Sequence, residues 1–130
     1  FLGQSVEGKD VLIVDDMISS GESMIDVATE LKKRNANRIF VISTFGLFTN
    51  GMGIFDEAVN KGIITNVLTT NLVYQRPELL ERDYYISCDM SKYIAYIIDT
   101  LNHDTSISDL LNPADRINKL VTSYMSEQNK

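Results

Sequence analysis

The chain has 130 residues, a length that fits one domain, with 18 acidic against 12 basic side chains and a net charge of −6. That balance disfavours a nucleic-acid backbone or an anionic membrane surface as partner, so an anionic ligand has to be held locally, by backbone N–H groups or a divalent cation. A single cysteine, Cys88, excludes an intrachain disulfide and points to a reducing compartment, the cytoplasm, and the longest apolar runs fall far short of the ~20 residues that span a bilayer.

Val6-Glu7-Gly8-Lys9-Asp10 reads as a turn that delivers the chain into Val11-Leu12-Ile13-Val14, an apolar run rich in β-branched residues and hence a buried strand. Beyond Gly21, Met24, Ile25, Ala28 and Leu31 recur at helical spacing. Arg38–Ser43 reads as a second strand, and Gly46–Gly51 as a loop whose glycines permit unusual backbone angles. A short helix over Ile54–Lys61 ends at Gly62. Ile64–Thr69 and Tyr84–Ser87 are the third and fourth strands, separated by a polar stretch in which Pro77 starts a helical turn over Glu78–Glu81. Asp89 caps a helix over Met90–Leu101, and Asn112 with Pro113 opens a last helix that runs to about Tyr124. Strands alternating with helices predict an α/β fold, a largely parallel sheet flanked by helices on both faces, in a single domain over residues 1–130.

Ligands of parallel sheets bind beyond the carboxyl ends of the strands, where Asp15 and Asp16 fall. Adjacent carboxylates there can accept hydrogen bonds from neighbouring sugar hydroxyls or hold a divalent cation, directly or through water. Ser19-Ser20-Gly21-Glu22-Ser23 follows, small and hydroxylic, and leads into a helix. Its backbone N–H groups, its hydroxyls and the positive helix end can surround a phosphate monoester. A sugar phosphate satisfies both halves, with its diol on the aspartates and its phosphate in the loop. The Glu22 carboxylate opposes such an anion unless it points outward or a cation intervenes. An acidic pair after a strand is also a common turn and capping device, and it is the pair together with the loop that favours a site.

Elsewhere the chemistry is sparse. His103 is the only histidine, which leaves no material for a zinc site or a histidine-centred triad. Cys88 reads as a small apolar residue, and Tyr93, Tyr96 and Ile97 as the packing face of a helix.

Val11–Ser23 resembles the phosphoribosyl-pyrophosphate signature of type I phosphoribosyltransferase folds. The flanking segments Gly8-Lys9-Asp10, Thr44-Phe45-Gly46-Leu47-Phe48-Thr49-Asn50-Gly51, Val67-Leu68-Thr69-Thr70-Asn71, Asp89-Met90-Ser91 and Ser106-Ile107-Ser108 narrow the resemblance to the C-terminal half of ribose-phosphate pyrophosphokinases. Such enzymes transfer the β,γ-diphosphoryl group of ATP to ribose 5-phosphate, with magnesium, giving phosphoribosyl pyrophosphate and AMP for nucleotide biosynthesis. The resemblance implies that Asp15 contacts ribose hydroxyls, that Asp16 assists there or in metal and water contacts, and that Ser19, Ser20, Gly21, Glu22 and Ser23 hold the 5-phosphate. The family loop reads Asp-Thr-Gly-Gly-Thr, whereas Ser19 stands here for its aspartate and Glu22 for its second glycine, a departure that fits a divergent branch or, failing that, loss of catalysis with the fold retained. The family's nucleotide-contacting segments, metal-binding histidine and aspartate, and catalytic Lys/Arg loop precede the matched part. The resemblance therefore implies a domain that binds ribose 5-phosphate and phosphoribosyl pyrophosphate, has no catalytic residue of its own, is inactive alone, and belongs to a longer, homo-oligomeric enzyme. The alternatives are a nucleobase phosphoribosyltransferase and a non-catalytic regulatory homologue of the synthetase. A response-regulator receiver domain shares the first strand and acidic pair, but Thr69-Thr70-Asn71 lacks the phosphoacceptor aspartate that fold needs.

Overall fold

The computed structural model describes residues 3–108 and 112–128. The chain divides into two compact units, Phe1–Met90 and Ser91–Lys130. The first holds β1 (Val11–Ile18), α1 (Glu22–Lys33), β2 (Ile39–Gly46), α2 (Gly53–Asn60), β3 (Asn66–Thr70), α3 (Pro77–Leu80) and β4 (Tyr85–Cys88). The strands form a four-stranded sheet in the order β1-β2-β3-β4, parallel at every step, with Val11 opposite Ile39, Val41 opposite Val67 and Val67 opposite Tyr85. The α/β fold with a parallel sheet flanked by helices is as the sequence predicts.

α1 forms where Met24, Ala28 and Leu31 place one apolar stripe against the sheet. It ends as the chain reverses at Asn35, φ 61°, with the Ala36 N–H donating to Leu31 O. Gly62, φ 67°, ends α2 in the same manner, and Pro77 occupies the first turn of α3, both as the sequence indicates. Every crossover steps the same way across the sheet, and right-handed connections of that kind deposit their helices on one face. Accordingly Met24, Ala28 and Leu31 of α1, Phe55 and Ala58 of α2 and Leu79 of α3 share a single core with Ile39, Val41, Val67 and Tyr85. Within this unit α1, α2 and α3 therefore pack on one face. Placing a crossover helix on the other face requires the strand order to reverse, and here it does not. The opposite face carries Leu12 and Val14, 62% and 70% exposed, although strands of parallel sheets are ordinarily covered on both sides.

At the amino ends of the strands, Asp10 joins β1 to β2. Its carboxylate accepts from Asn37 Nδ2 at 2.8 Å and from Arg38 Nε at 3.1 Å, and Arg38 holds the Asp10 carboxyl below its ordinary range.

The second unit contains α4 (Ser91–Asn102) and α5 (Ala114–Gln128), neither with a buried residue. Asn112 Oδ1 accepts from the Ala114 N–H at 3.2 Å, the cap expected of it. Along α5, Ile117, Leu120, Val121, Tyr124 and Met125 form an exposed apolar stripe. In α4, Tyr93 and Ile97 are half-buried and Tyr96 is exposed, and the Arg116 guanidinium lies 6.0 Å from the centre of the Tyr93 ring. His103, exposed at the end of α4, sets Nδ1 2.9 Å from the carbonyl oxygen of Asp99, and in the Nδ1–H tautomer it donates there. No helix among the described residues is long and apolar enough to cross a membrane.

Candidate functional site

Asp15 and Asp16 do not follow the first strand, as the sequence suggests; they lie within it. β1 continues to Ile18 because its ladder to β2 continues, with Asp15 opposite Ser43, Met17 opposite Phe45 and Ile18 opposite Gly46. An edge strand tolerates carboxylates that a central strand would bury, and both aspartates are exposed. At this level the alternation of buried and exposed positions slips by one residue in both strands. Ser43 is buried and Phe45 exposed, while Ile18 and Gly46 turn inward together. Asp15 Oδ1 accepts from the Asp16 N–H at 2.8 Å, which fixes one carboxylate against the backbone that carries the other.

The chain then crosses Ser19, Ser20 and Gly21 to the first residue of α1, Glu22. The second loop, after β2, holds this crossing from beneath. The Leu47 and Phe48 N–H groups donate to Ile18 O at 2.9 and 3.4 Å, and the Thr49 N–H donates to Ser19 O at 3.0 Å. Gly21 adopts φ 89°, and a β-carbon there would lie 2.3 Å from Cζ of Phe55, so both the angle and the space require glycine. No side chain caps α1; the nearest hydroxyl, Ser20 Oγ, lies 3.5 Å from the Glu22 nitrogen. Ser19, Glu22 and Ser23 are exposed, Ser20 is half-buried and Gly21 is buried. The five predicted loop residues thus divide between a turn, Ser19–Gly21, and the first two positions of a 12-residue helix, Glu22 and Ser23, at its positive end. Glu22, solvent-facing in that first turn, complements the helix dipole.

Sequence reasoning did not identify the residues that shape this turn. Phe48, 3% exposed, has φ 46°, a left-handed angle unusual for a bulky side chain. Its ring packs edge-on against Phe55, centroids 5.4 Å apart, and against Tyr85 at 6.1 Å. Gly46 makes room for it, since a β-carbon there would lie 2.6 Å from Phe48 Cε2. Tyr85 Oη is 2.5 Å from Thr69 Oγ1 and accepts from Gln75 Nε2 at 2.7 Å, and Gln75 Oε1 in turn accepts from Ser87 Oγ. Burial pushes the Tyr85 phenol above its ordinary range. Arg76 Nη2 donates to Phe48 O at 3.3 Å.

Two further ties fix the loops around these rings. Arg82 grips Asp56 with Nε and Nη2, each 2.7 Å from a carboxylate oxygen, and the Tyr84 hydroxyl donates to the same carboxylate. Asn71 Nδ2 donates to Asp89 Oδ1 at 2.8 Å, and Asn71 Oδ1 accepts from the Met90 N–H at 2.8 Å, which joins the ends of β3 and β4. Between the loops after β2 and β3 lies a pocket of about 240 Å³ lined by Leu47, Met52, Tyr74, Arg76 and Leu79 among others. Among the described residues no cluster of three or more His, Cys, Asp or Glu side chains is placed to hold a metal. Cys88, a free thiol at the end of β4, is half-buried.

Residues 2–112 match the family model described as the phosphoribosyl synthetase-associated domain. A ribose-phosphate pyrophosphokinase of Shewanella oneidensis is 33% identical over 107 residues, 82% of this chain and 33% of that protein. One from Pyrococcus abyssi is 44% identical over 68 residues, 52% of this chain and 24% of that one. The fold matches the crystal structure of phosphoribosylpyrophosphate synthetase from Mycobacterium smegmatis with a TM-score of 0.69 at 18% identity, covering 78% of this chain and 33% of that chain. The chain spans about a third of the length of the Shewanella relative and of that solved structure.

Proposed function

The chain belongs to the phosphoribosyl synthetase-associated domain family, and from that premise we propose that it is the sugar-phosphate-binding domain of a ribose-phosphate diphosphokinase. Its ligands are ribose 5-phosphate and phosphoribosyl pyrophosphate. The observation that carries this reading is the continuity of the exposed Asp15–Asp16 pair with a turn whose Gly21 is locked at φ 89° over Phe55, at the mouth of α1. The ribose hydroxyls donate to Asp15, with Asp16 alongside. The 5-phosphate accepts from the amides and hydroxyls of Ser19 to Ser23, where a preformed backbone and the helix dipole stabilise negative charge without reorganisation.

Either exposed carboxylate of the pair also fits magnesium, which keeps most of its water and binds through one or two carboxylates plus substrate phosphates. Asp15 or Asp16 would hold it through water, and when bound it supplies neutralisation of phosphate charge.

The domain contributes binding and orientation, and no residue of it acts on the transferred phosphoryl groups. ATP contacts and the diphosphoryl-transfer groups come from the remainder of a longer, cytoplasmic, homo-oligomeric enzyme, of which this is the C-terminal phosphoribosyltransferase-like domain. The one-third coverage of the relatives and the exposure of Leu12 and Val14 on the sheet support that placement. Ser19 and Glu22 mark a divergent branch. The matched relatives carry the pyrophosphokinase name, which favours this reading over a nucleobase phosphoribosyltransferase.

Equilibrium binding tests it. Ribose 5-phosphate is expected to bind the chain more tightly than either ribose or inorganic phosphate, because only the sugar phosphate engages both the aspartates and the loop. Equal affinity for inorganic phosphate would reduce the site to an anion loop. The 130 residues alone are expected to form no AMP from ATP and ribose 5-phosphate, and measurable turnover would place catalytic groups within them.

A further inference from the structure

We propose that Phe48 is a positioning residue for the sugar-phosphate turn, an inference that rests on the binding reading above. Phe48 belongs to the loop after β2, yet its N–H and its ring partner Phe55 both bear on the turn after β1. At φ 46° it holds the left-handed backbone that bulky residues avoid, and such angles persist where surrounding structure enforces them, often beside ligand sites. Three sets of contacts enforce this one. The Phe48 ring is clamped edge-on between Phe55 and Tyr85. Gly46 vacates the space that its ring edge fills. The Phe48 carbonyl accepts from Arg76 Nη2 and from the Gly51 N–H.

The left-handed step carries the chain on so that, after the Leu47 and Phe48 N–H groups have met the carbonyl of Ile18, the Thr49 N–H meets that of Ser19, the residues that enter the turn. Phe55, the ring partner of Phe48, is also the surface on which Gly21 rests. Both ends of the Ser19–Gly21 crossing are therefore set by one aromatic wedge. Through Tyr85 and Gln75 the same wedge reaches the loop after β3, so the loops at the carboxyl ends of the sheet share a single support. The turn is consequently held in its binding shape before a ligand arrives, which is where affinity for a small sugar phosphate is gained.

The test compares the 130-residue chain with Phe48→Leu, Arg76→Ala and a control, Ile64→Ala. Ile64 is buried just before β3, at the amino ends of the strands. Titration calorimetry with ribose 5-phosphate is paired with hydrogen exchange of the Leu47 and Thr49 amides. Phe48→Leu is expected to weaken binding about tenfold and to speed exchange of both amides, because small displacements of a positioned group cost that much or more. Ile64→Ala should lower the thermal midpoint without changing the affinity. Arg76→Ala, at an exposed position, shifts affinity and exchange in the same direction by a smaller factor and decides the matter should Phe48→Leu fail to fold. Wild-type affinity in both Phe48→Leu and Arg76→Ala would overturn the positioning role alone. Failure of the wild-type chain to bind ribose 5-phosphate would overturn the binding reading and this role with it.

Discussion

The ring of Phe55 occupies the place where Gly21 would carry a β-carbon: an atom built there lies 2.3 Å from Cζ and 2.4 Å from Cε2. Phe55 is fully buried in α2, so it cannot retreat, and Gly21 cannot leave its φ of 89° without dragging the start of α1.

Gly21→Ala is therefore expected to destabilise the chain by about 2–3 kcal/mol, from overpacking and from a side chain in left-handed backbone. Urea denaturation measures it. Ala at Gly62, where a β-carbon meets nothing within 4 Å, carries only the backbone penalty and should cost roughly 1 kcal/mol.

The Asp56–Arg82–Tyr84 cluster predicts a pH dependence. Hydrogen bonds from Arg82, and then from Tyr84, hold the Asp56 carboxyl below its ordinary 3.8 against the opposing effect of burial. A depressed carboxyl contributes stability that is fully present above the unfolded pKa and is lost as pH falls through the lower folded value. With Asp56 36% and Arg82 25% exposed, solvent screening limits the contribution to about 1 kcal/mol. Unfolding followed at pH 7 and again below pH ~4 should show Asp56→Asn less stable at the higher pH, with the gap to wild type closing at the lower.

Tyr85→Phe removes the oxygen shared by Thr69 and Gln75. Thr69, 1% exposed, then retains only a long 3.4 Å contact to Thr70 O. The loss is expected to cost about 1–2 kcal/mol in denaturation and to loosen the loop that Gln75 anchors, read as faster amide exchange over residues 71–76.

Where the structure departs from what the sequence shows, the causes lie in pairing between distant segments. The stripe of Met24, Ala28 and Leu31, the stop at Gly62 and the start at Pro77 are local signals, and each is read correctly. Two carboxylates make poor strand residues, so the first strand reads as ending at Val14. Its extension to Ile18 depends on pairing with Ser43, Phe45 and Gly46 and on lying at an edge, neither of which is a property of the segment itself. The acidic pair and the small hydroxylic turn are contiguous in sequence and so are legible as a site. Its supports are not, because Phe55 reaches Gly21, and Gln75 reaches Tyr85, only after the crossovers are made. Gly46 and Gly51 flag a loop with unusual angles, yet Gly46 is there for space, while the left-handed angle falls on Phe48 as well as on Gly51.

The central claim is that Asp15 and the turn from Ser19 to Ser23 bind one sugar phosphate together. Titration of ribose 5-phosphate into the wild-type chain and into Asp15→Ala tests it most directly, because Asp15 is exposed and its replacement removes nothing from the core. The account predicts saturable binding to wild type and at least about a tenfold loss in Asp15→Ala, the scale of one charge-assisted pair of hydrogen bonds. Equal affinity in the two proteins would contradict it.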